Sequence, residues 1–228
     1  MISAEIDGQK RPPLAKGEST VCGGCGGKLS AVMPQFNAPH WRHKSGDCDP
    51  WSEPEGPWHL EWKSKFDPAC CEVFQRDPHT KEIHRADVLC PRPEGKGVVL
   101  ELQHSSISEE ERISREAFYS QKNRMFWLIN MARNRALSFN FGISLNFERK
   151  ATLTIGGKDF YPMVWMGRGS ILEKWKGSTA HVFLNYGPNI YYLATKAACK
   201  DLVEGQKKGE FSIAKLTLDE FLRAVKGE

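Results

Sequence analysis

A chain of 228 residues is long enough to bury one sizeable core, and 40% hydrophobic with 26% charged residues is the ordinary balance of a globular protein rather than a disordered one. No apolar run approaches the roughly 18 residues that span a bilayer, so composition predicts no membrane insertion. The net charge of +4 permits a polyanionic partner without requiring one, because only clustered charge steers strongly.

Residues 1–18 are polar, contain two prolines and lack an apolar signal core, which predicts a flexible N-terminal arm on a cytoplasmic protein. Residues 19–50 are rich in Gly, Cys, His and Trp and poor in aliphatic side chains. Such a stretch is expected to need a staple in place of a hydrophobic core. Cys22-x2-Cys25 followed by His40, His43 and Cys48 supplies five ligand-type residues, of which a tetrahedral Zn²⁺ takes four. Cys22 and Cys25 form the firm pair. His40 and His43 are one residue closer than the usual H-x3-5-H spacing, so the spacing favours His43 with Cys48 and leaves His40 as the alternative. Paired cysteines without a signal peptide point to metal rather than disulfides. Cys70, Cys71, Cys90 and Cys199 have no ligand spacing and read as core or surface thiols.

Residues 55–66 fit a helix with Pro57 in its first turn. Glu55, His59 and Lys63 recur at i, i+4 and i+8 and therefore share a face. Three strands follow at 72–74, 83–89 and 97–105, the last two joined by the turn PRPEGKG. Ser108 and Glu111 open a helix running to about Lys122, and MFWLINMA (125–132) is apolar enough for a buried strand. Downstream come a hairpin turning at Gly156-Gly157, a second apolar pair turning at Gly187-Pro188, and a helix over 218–226 opened by Thr217 and Glu220. The order predicts an α+β fold with a mixed sheet flanked by helices.

Period-2 alternation places Ile83, Arg85 and Asp87 on one face of their strand, and Val99, Glu101 and Gln103 on one face of theirs. Antiparallel pairing across the short turn would bring Asp87 and Glu101 together. Two adjacent carboxylates repel unless one takes a proton or a cation lies between them, and a hard divalent ion such as Mg²⁺ satisfies oxygen donors. Alternation alone favours solvent-facing carboxylates on a half-exposed sheet. His84 and His104 face away from the carboxylates and read as packing residues.

The stretches HRADV, LELQHSSIS and REAFY occur in one order, preceded by His40-Trp41-Arg42-His43-Lys44, Cys48-Asp49-Pro50-Trp51 and Glu55-Gly56-Pro57-Trp58-His59-Leu60-Glu61-Trp62-Lys63. Together they resemble the motif block of CoiA-like competence nucleases across roughly residues 20–130. The resemblance implies a restriction-endonuclease-like PD-(D/E)XK core over 51–135, behind the zinc-binding segment over 19–50; residues 136–228 match only loosely and read, from their own pattern, as a C-terminal α/β extension packed on the core. It implies DNA as substrate, Mg²⁺ or Mn²⁺ held by Asp87 and Glu101, and Gln103 where the wider superfamily places a lysine. Glu55 becomes a further acidic member of the site and His59 a base or phosphate contact. Lys63, Arg85 and Arg115 become candidate DNA contacts, and Tyr119 buried structure. Uptake of DNA, recombination processing and defence are all compatible roles, and a homodimer stays open. A catalytically silent, zinc-stabilised DNA-binding module and a protein-binding adaptor are the alternative readings.

Overall fold

The computed structural model describes residues 1–46, 48–51 and 55–228. The chain divides into two units, Met1–Leu89 and Cys90–Glu228.

The first unit begins with structure where an arm is expected. β1 (Ala4–Ile6) and β2 (Gln9–Arg11) form an antiparallel hairpin. β3 (Ser19–Val21), β4 (Lys28–Val32) and β5 (His40–His43) form an antiparallel sheet in that order. These pieces share a small apolar core of Ala4, Cys22, Leu29 and Trp41, with Met1, Ile6 and Phe74 packed against it. Trp41 is 1% exposed, its indole N–H donates to the Arg11 carbonyl at 3.1 Å, and its backbone N–H donates to that of Met1 at 2.9 Å. Residues 19–50 therefore do have a core. They borrow half of it from residues 1–11 and from Phe74, partners far away in sequence that a local count of aliphatic residues does not see.

α1 (Pro57–Lys63) is shorter than the helix expected over 55–66, and Glu55 precedes it. Proline at the first helical position loses no hydrogen bond there, because the first-turn N–H groups have no partner within the helix. A 3-10 turn over Pro68–Cys70, capped by Asp67, leads into β6 (Cys71–Arg76). β6 pairs antiparallel with β7 (Ile83–Cys90). Between them Asp77 Oδ1 accepts from the N–H groups of His79 and Thr80 and closes the turn. The alternation of β7 is as expected: His84, Ala86, Val88 and Cys90 are buried, while Ile83, Arg85, Asp87 and Leu89 are half-buried.

The second unit is a mixed sheet with helices. β8 (Val98–Gln103) is buried at every position, and α2 (Glu109–Ser120) crosses from it to β9 (Arg124–Asn130), which runs parallel to β8. Ser108 Oγ caps α2 by accepting from Glu111 N–H at 3.1 Å. α3 (Arg135–Ser144), β10 (Leu153–Ile155), β11 (Lys158–Val164), α4 (Ile171–Lys176), β12 (His181–Tyr186), β13 (Asn189–Leu193), α5 (Lys196–Glu204), β14 (Glu210–Leu216) and α6 (Leu218–Lys226) follow. The sheet order in this unit is β10-β11-β14-β13-β12-β9-β8. The β10–β11 hairpin turns at Gly156 and Gly157, both at positive φ (55° and 75°), as a two-residue primed turn requires. The reciprocal capping box of Thr217 and Glu220 opens α6.

An extension lying against a finished core is not what residues 136–228 form. β12 pairs parallel with β9, from His181↔Phe126 to Asn185↔Asn130, so the later strands continue the sheet that β8 and β9 begin. A strand as apolar as β9 needs a hydrogen-bonded neighbour on each side, and β12 supplies the second one. Glu116 of α2 locks this part of the unit. It is 2% exposed and accepts from Arg112 Nη1 at 2.8 Å, Trp127 Nε1 at 3.2 Å, Ser178 Oγ at 2.6 Å and Thr179 N–H at 2.9 Å. Among the described residues, no helix is long and apolar enough to cross a membrane.

Candidate active site and metal centre

Lys63 ends α1 with its side chain only 9% exposed, and it gathers three carboxylates. Its Nζ stands 2.8 Å from Glu55 Oε2, 3.1 Å from Asp87 Oδ1 and 3.9 Å from Glu72 Oε1. Burial works against the ammonium, but Asp87, Glu72 and Glu55 outweigh it and hold Lys63 above the usual lysine range. Burial and the neighbouring Glu72 carboxylate push Glu55 up to about 7. Glu72, buried yet facing Lys63 and Arg85, is held down to about 2. One carboxylate of the group thus sits near its titration point at neutral pH while its neighbour stays ionised, the usual result of crowding like charges.

Glu72 is the residue that sequence reading missed, where residues 72–74 register only as a strand. It is 3% exposed and holds a left-handed backbone conformation at φ 52°, which is rare for a residue with a Cβ. Its two oxygens accept from the N–H groups of Ile2 (2.9 Å) and Ser3 (2.7 Å), and Arg85 Nε lies 3.7 Å away. The N-terminal residues are thereby tied to the acidic cluster. Nothing in the local pattern of CCEVF signals either contact, since the partners lie about seventy positions upstream.

Arg85 is on the Asp87 side of β7, as alternation predicts, but its side chain is 7% exposed and turned toward Glu72. An inward guanidinium beside a buried carboxylate is a structural pair. His59 is buried, at 3%, with its ring edge-on to Trp58.

The Cys48-Asp49-Pro50-Trp51 stretch anchors β7 from the other side. Asp49 Oδ1 bonds His84 Nδ1 at 2.9 Å, and Asp49 Oδ2 accepts from Arg85 N–H at 2.8 Å. The Trp51 ring stacks on His84 at 3.2 Å between centroids. Burial opposes ionisation of Asp49, but His84 and the donated N–H groups prevail and keep it below the usual carboxylate range. His84 is a packing and hydrogen-bonding residue, as expected.

In the second unit Glu101 is 4% and Gln103 1% exposed. Glu101 Oε2 accepts from Arg115 Nη1 at 3.1 Å, and Arg115 Nε donates to Glu111 Oε1 at 3.1 Å. With its side chain 5% exposed and lying over the Trp127 ring, Arg115 clamps Glu101. A structural pair to a carboxylate is one of the two roles its place on the helix allows, the other being a phosphate contact. Gln103 Nε2 donates to the Ser105 carbonyl at 3.3 Å. Tyr119 is buried, at 2%.

The ligand atoms of Cys22, Cys25, His43 and Cys48 lie within 4.8 Å of one another, close enough to hold one metal ion. Cys22 Sγ accepts from Gly24 N–H (3.4 Å) and Cys25 Sγ from Gly27 N–H (3.3 Å), so the loop presents both sulfurs with partial charge already stabilised. The glycines are required: a Cβ on Gly24 would stand 2.5 Å from the Phe74 ring, and Gly26 has φ 72°. His43 and Cys48, the pair the spacing favours, complete the cluster, while His40 Nδ1 faces the Ala38 carbonyl at 3.1 Å.

A mixed α/β sheet with buried carboxylates on its strands is an arrangement that a nuclease-like domain can use. Residues 71–160 match the family model of the competence protein CoiA, nuclease-like domain, so over this span the chain is similar to that family. The match is under half of the chain. It includes Glu72, Asp87, Glu101 and Gln103, and it begins downstream of Glu55, Lys63 and the Cys/His cluster. No curated protein and no solved structure matches the chain.

Proposed function

We propose that this chain is a divalent-metal-dependent nuclease of the PD-(D/E)XK type that hydrolyses DNA phosphodiester bonds. The observation that carries the reading is the Lys63–Asp87 ion pair, with Glu55 on the same ammonium. A superfamily lysine is missing at Gln103, and Lys63 supplies a buried, permanently charged ammonium beside the carboxylate of motif HRADV instead. The donor set suits Mg²⁺ or Mn²⁺, because it is all hard oxygen. Glu55 Oε1 is also buried without a hydrogen-bond partner among the described residues, an acceptor that a cation would satisfy.

In this reading Asp87 and Glu101 are the metal ligands by motif, with Glu55 as an additional oxygen donor. A divalent ion bound there would lower the pKa of a coordinated water and polarise the phosphoryl oxygen. Lys63 pairs with Asp87 and places positive charge where negative charge develops on the phosphate. Gln103, neutral at every accessible pH, orients a water or a phosphate oxygen by hydrogen bonding. Arg115 fixes the Glu101 carboxylate so that it does not reorganise during the reaction. The Cys22, Cys25, His43 and Cys48 cluster is proposed to bind a structural Zn²⁺, three thiolates and one imidazole being a usual closed site.

Incubating the protein with single- and double-stranded DNA in Mg²⁺, Mn²⁺ or EDTA tests the proposal. Metal-dependent cleavage that Asp87→Ala and Glu101→Ala abolish is expected. One observation favours the rival reading of a silent DNA-binding module: Lys63 and Arg115 already compensate the carboxylates without any metal. DNA binding with no cleavage under any metal would select it.

A further inference from the structure

A second cationic feature lies at the end of β8, within the second unit. Beyond Gln103 the chain Ser105-Ser106-Ile107 borders a cavity of about 240 Å³, closed on its other sides by Arg133, Ser170, Lys174 and Trp175. With about 30 Å³ per liquid water molecule, the space holds several waters or a phosphate group with its ester oxygens. The two cations are built into the wall. Arg133 Nη1 donates to the carbonyls of His104 (3.2 Å) and Ser105 (2.6 Å), and its Nη2 donates to Ser106 Oγ (3.3 Å). Lys174 donates its Nζ to the Ile107 carbonyl and lies 5.5 Å from the Trp175 ring centre.

The neutral Ile107 carbonyl positions the Lys174 head without neutralising it. No carboxylate among the described residues comes within ion-pair distance of Lys174. Burial, and then the nearby Arg112 and Arg133 charges, lower its pKa. Arg112 already has its own counterion in Glu116. Glu109 and Glu111 act in the opposite direction on Lys174 but do not outweigh these effects. Ser105, Ser106 and Ser170 are exposed and offer hydroxyls at the rim, as phosphate oxygens require.

We infer that the Ser105/Ser106/Arg133/Lys174 pocket is a phosphate subsite that grips the DNA backbone beside the scissile linkage. The Ser105 carbonyl links it to the chemistry, since it accepts from both Gln103 Nε2 and Arg133 Nη1. A phosphate held by Lys174 and Arg133 therefore fixes the strand two residues along from the amide that is proposed to orient the reacting groups. The inference rests on the DNA-nuclease reading and names a contact that reading does not contain.

The test measures binding of a fluorescein-labelled oligonucleotide in EDTA, where nothing is cleaved, across a salt series. Lys174→Gln keeps a group able to donate to the Ile107 carbonyl but removes the charge. It is expected to weaken binding roughly tenfold and to lower the slope of log K against log[salt] by about 1, the loss of one phosphate contact. Lys174→Arg should retain the slope. Ser170→Asp, an exposed position with no fold risk, should weaken binding to a similar degree by placing a carboxylate at the rim. Unchanged slope and affinity in Lys174→Gln and Ser170→Asp, with wild-type protein binding DNA, overturns the subsite alone. Wild-type protein that neither binds nor cleaves DNA overturns the nuclease reading, and the subsite with it.

Discussion

Lys63 Nζ lies 3.1 Å from Asp87 Oδ1 and 2.8 Å from Glu55 Oε2, so one buried ammonium at the end of α1 balances carboxylates from a loop before the helix and from β7. Removing one partner of a buried ionic group leaves the rest uncompensated, which costs on the order of 3–5 kcal/mol. Lys63→Met should therefore destabilise the metal-free protein by about that amount in urea denaturation. Added Mg²⁺ should recover part of the loss, because a divalent ion can replace the missing charge. If cleavage is established, Lys63→Met should also lower kcat by roughly 10²–10³. A variant with wild-type stability and turnover would remove Lys63 from the site.

Glu55 fixes the pH dependence. Its folded value of about 7 lies above the usual 4.5, so between those values the native state binds the extra proton. Stability from this group is complete below about 4.5 and is lost as pH rises through 7, by up to roughly 3 kcal/mol for a shift of this size. Glu72 acts with the opposite sign: its stabilisation is present above 4.5 and fades as pH falls toward 2. Thermal melting in metal-free buffer should show wild type losing stability from pH 5 to pH 7.5 relative to Glu55→Gln. Parallel curves for the two proteins would refute the assignment.

Zinc content separates the histidines. His43→Ala should lose the metal and His40→Ala should keep about one zinc per chain, read by elemental analysis of protein purified without added metal. Chelation should loosen the Cys22–Cys25 loop while β4 and β5 keep part of their protection from hydrogen exchange. Leu29 and Trp41 stay buried among Ala4, Met1 and Ile6 whether or not metal is present. Complete unfolding of residues 19–50 on chelation would show that the apolar cluster contributes nothing by itself.

Glu116 is the structural test. Glu116→Ala leaves the Arg112 guanidinium, 2% exposed, with only the exposed Glu109 carboxylate at 3.6 Å, and strips acceptors from Trp127, Ser178 and Thr179. A loss of about 3–5 kcal/mol is expected, and Arg112→Met combined with Glu116→Leu should recover much of it, since an apolar pair of similar volume needs no compensation. Additive effects of the two single changes in a double-mutant cycle would contradict the coupling.

Short-range pattern was enough for the elements whose cause is local. Alternation over 83–90 set the two faces of β7, two consecutive glycines set the β10–β11 turn, and Thr217 with Glu220 set the start of α6, because each depends on residues within four positions. The same holds for Cys22 and Cys25, whose separation is a property of one tight loop. Tertiary structure alone decided the rest. It brought the backbone of Ile2 and Ser3 to Glu72 and turned Arg85 and Arg115 inward to carboxylates. It also joined β12 to β9 across some fifty residues of intervening chain. A charged side chain reads the same in sequence whether it faces water or a buried counterion. The difference lies in which distant segment packs against it, and that is set by burial of the whole core rather than by any spacing along the chain.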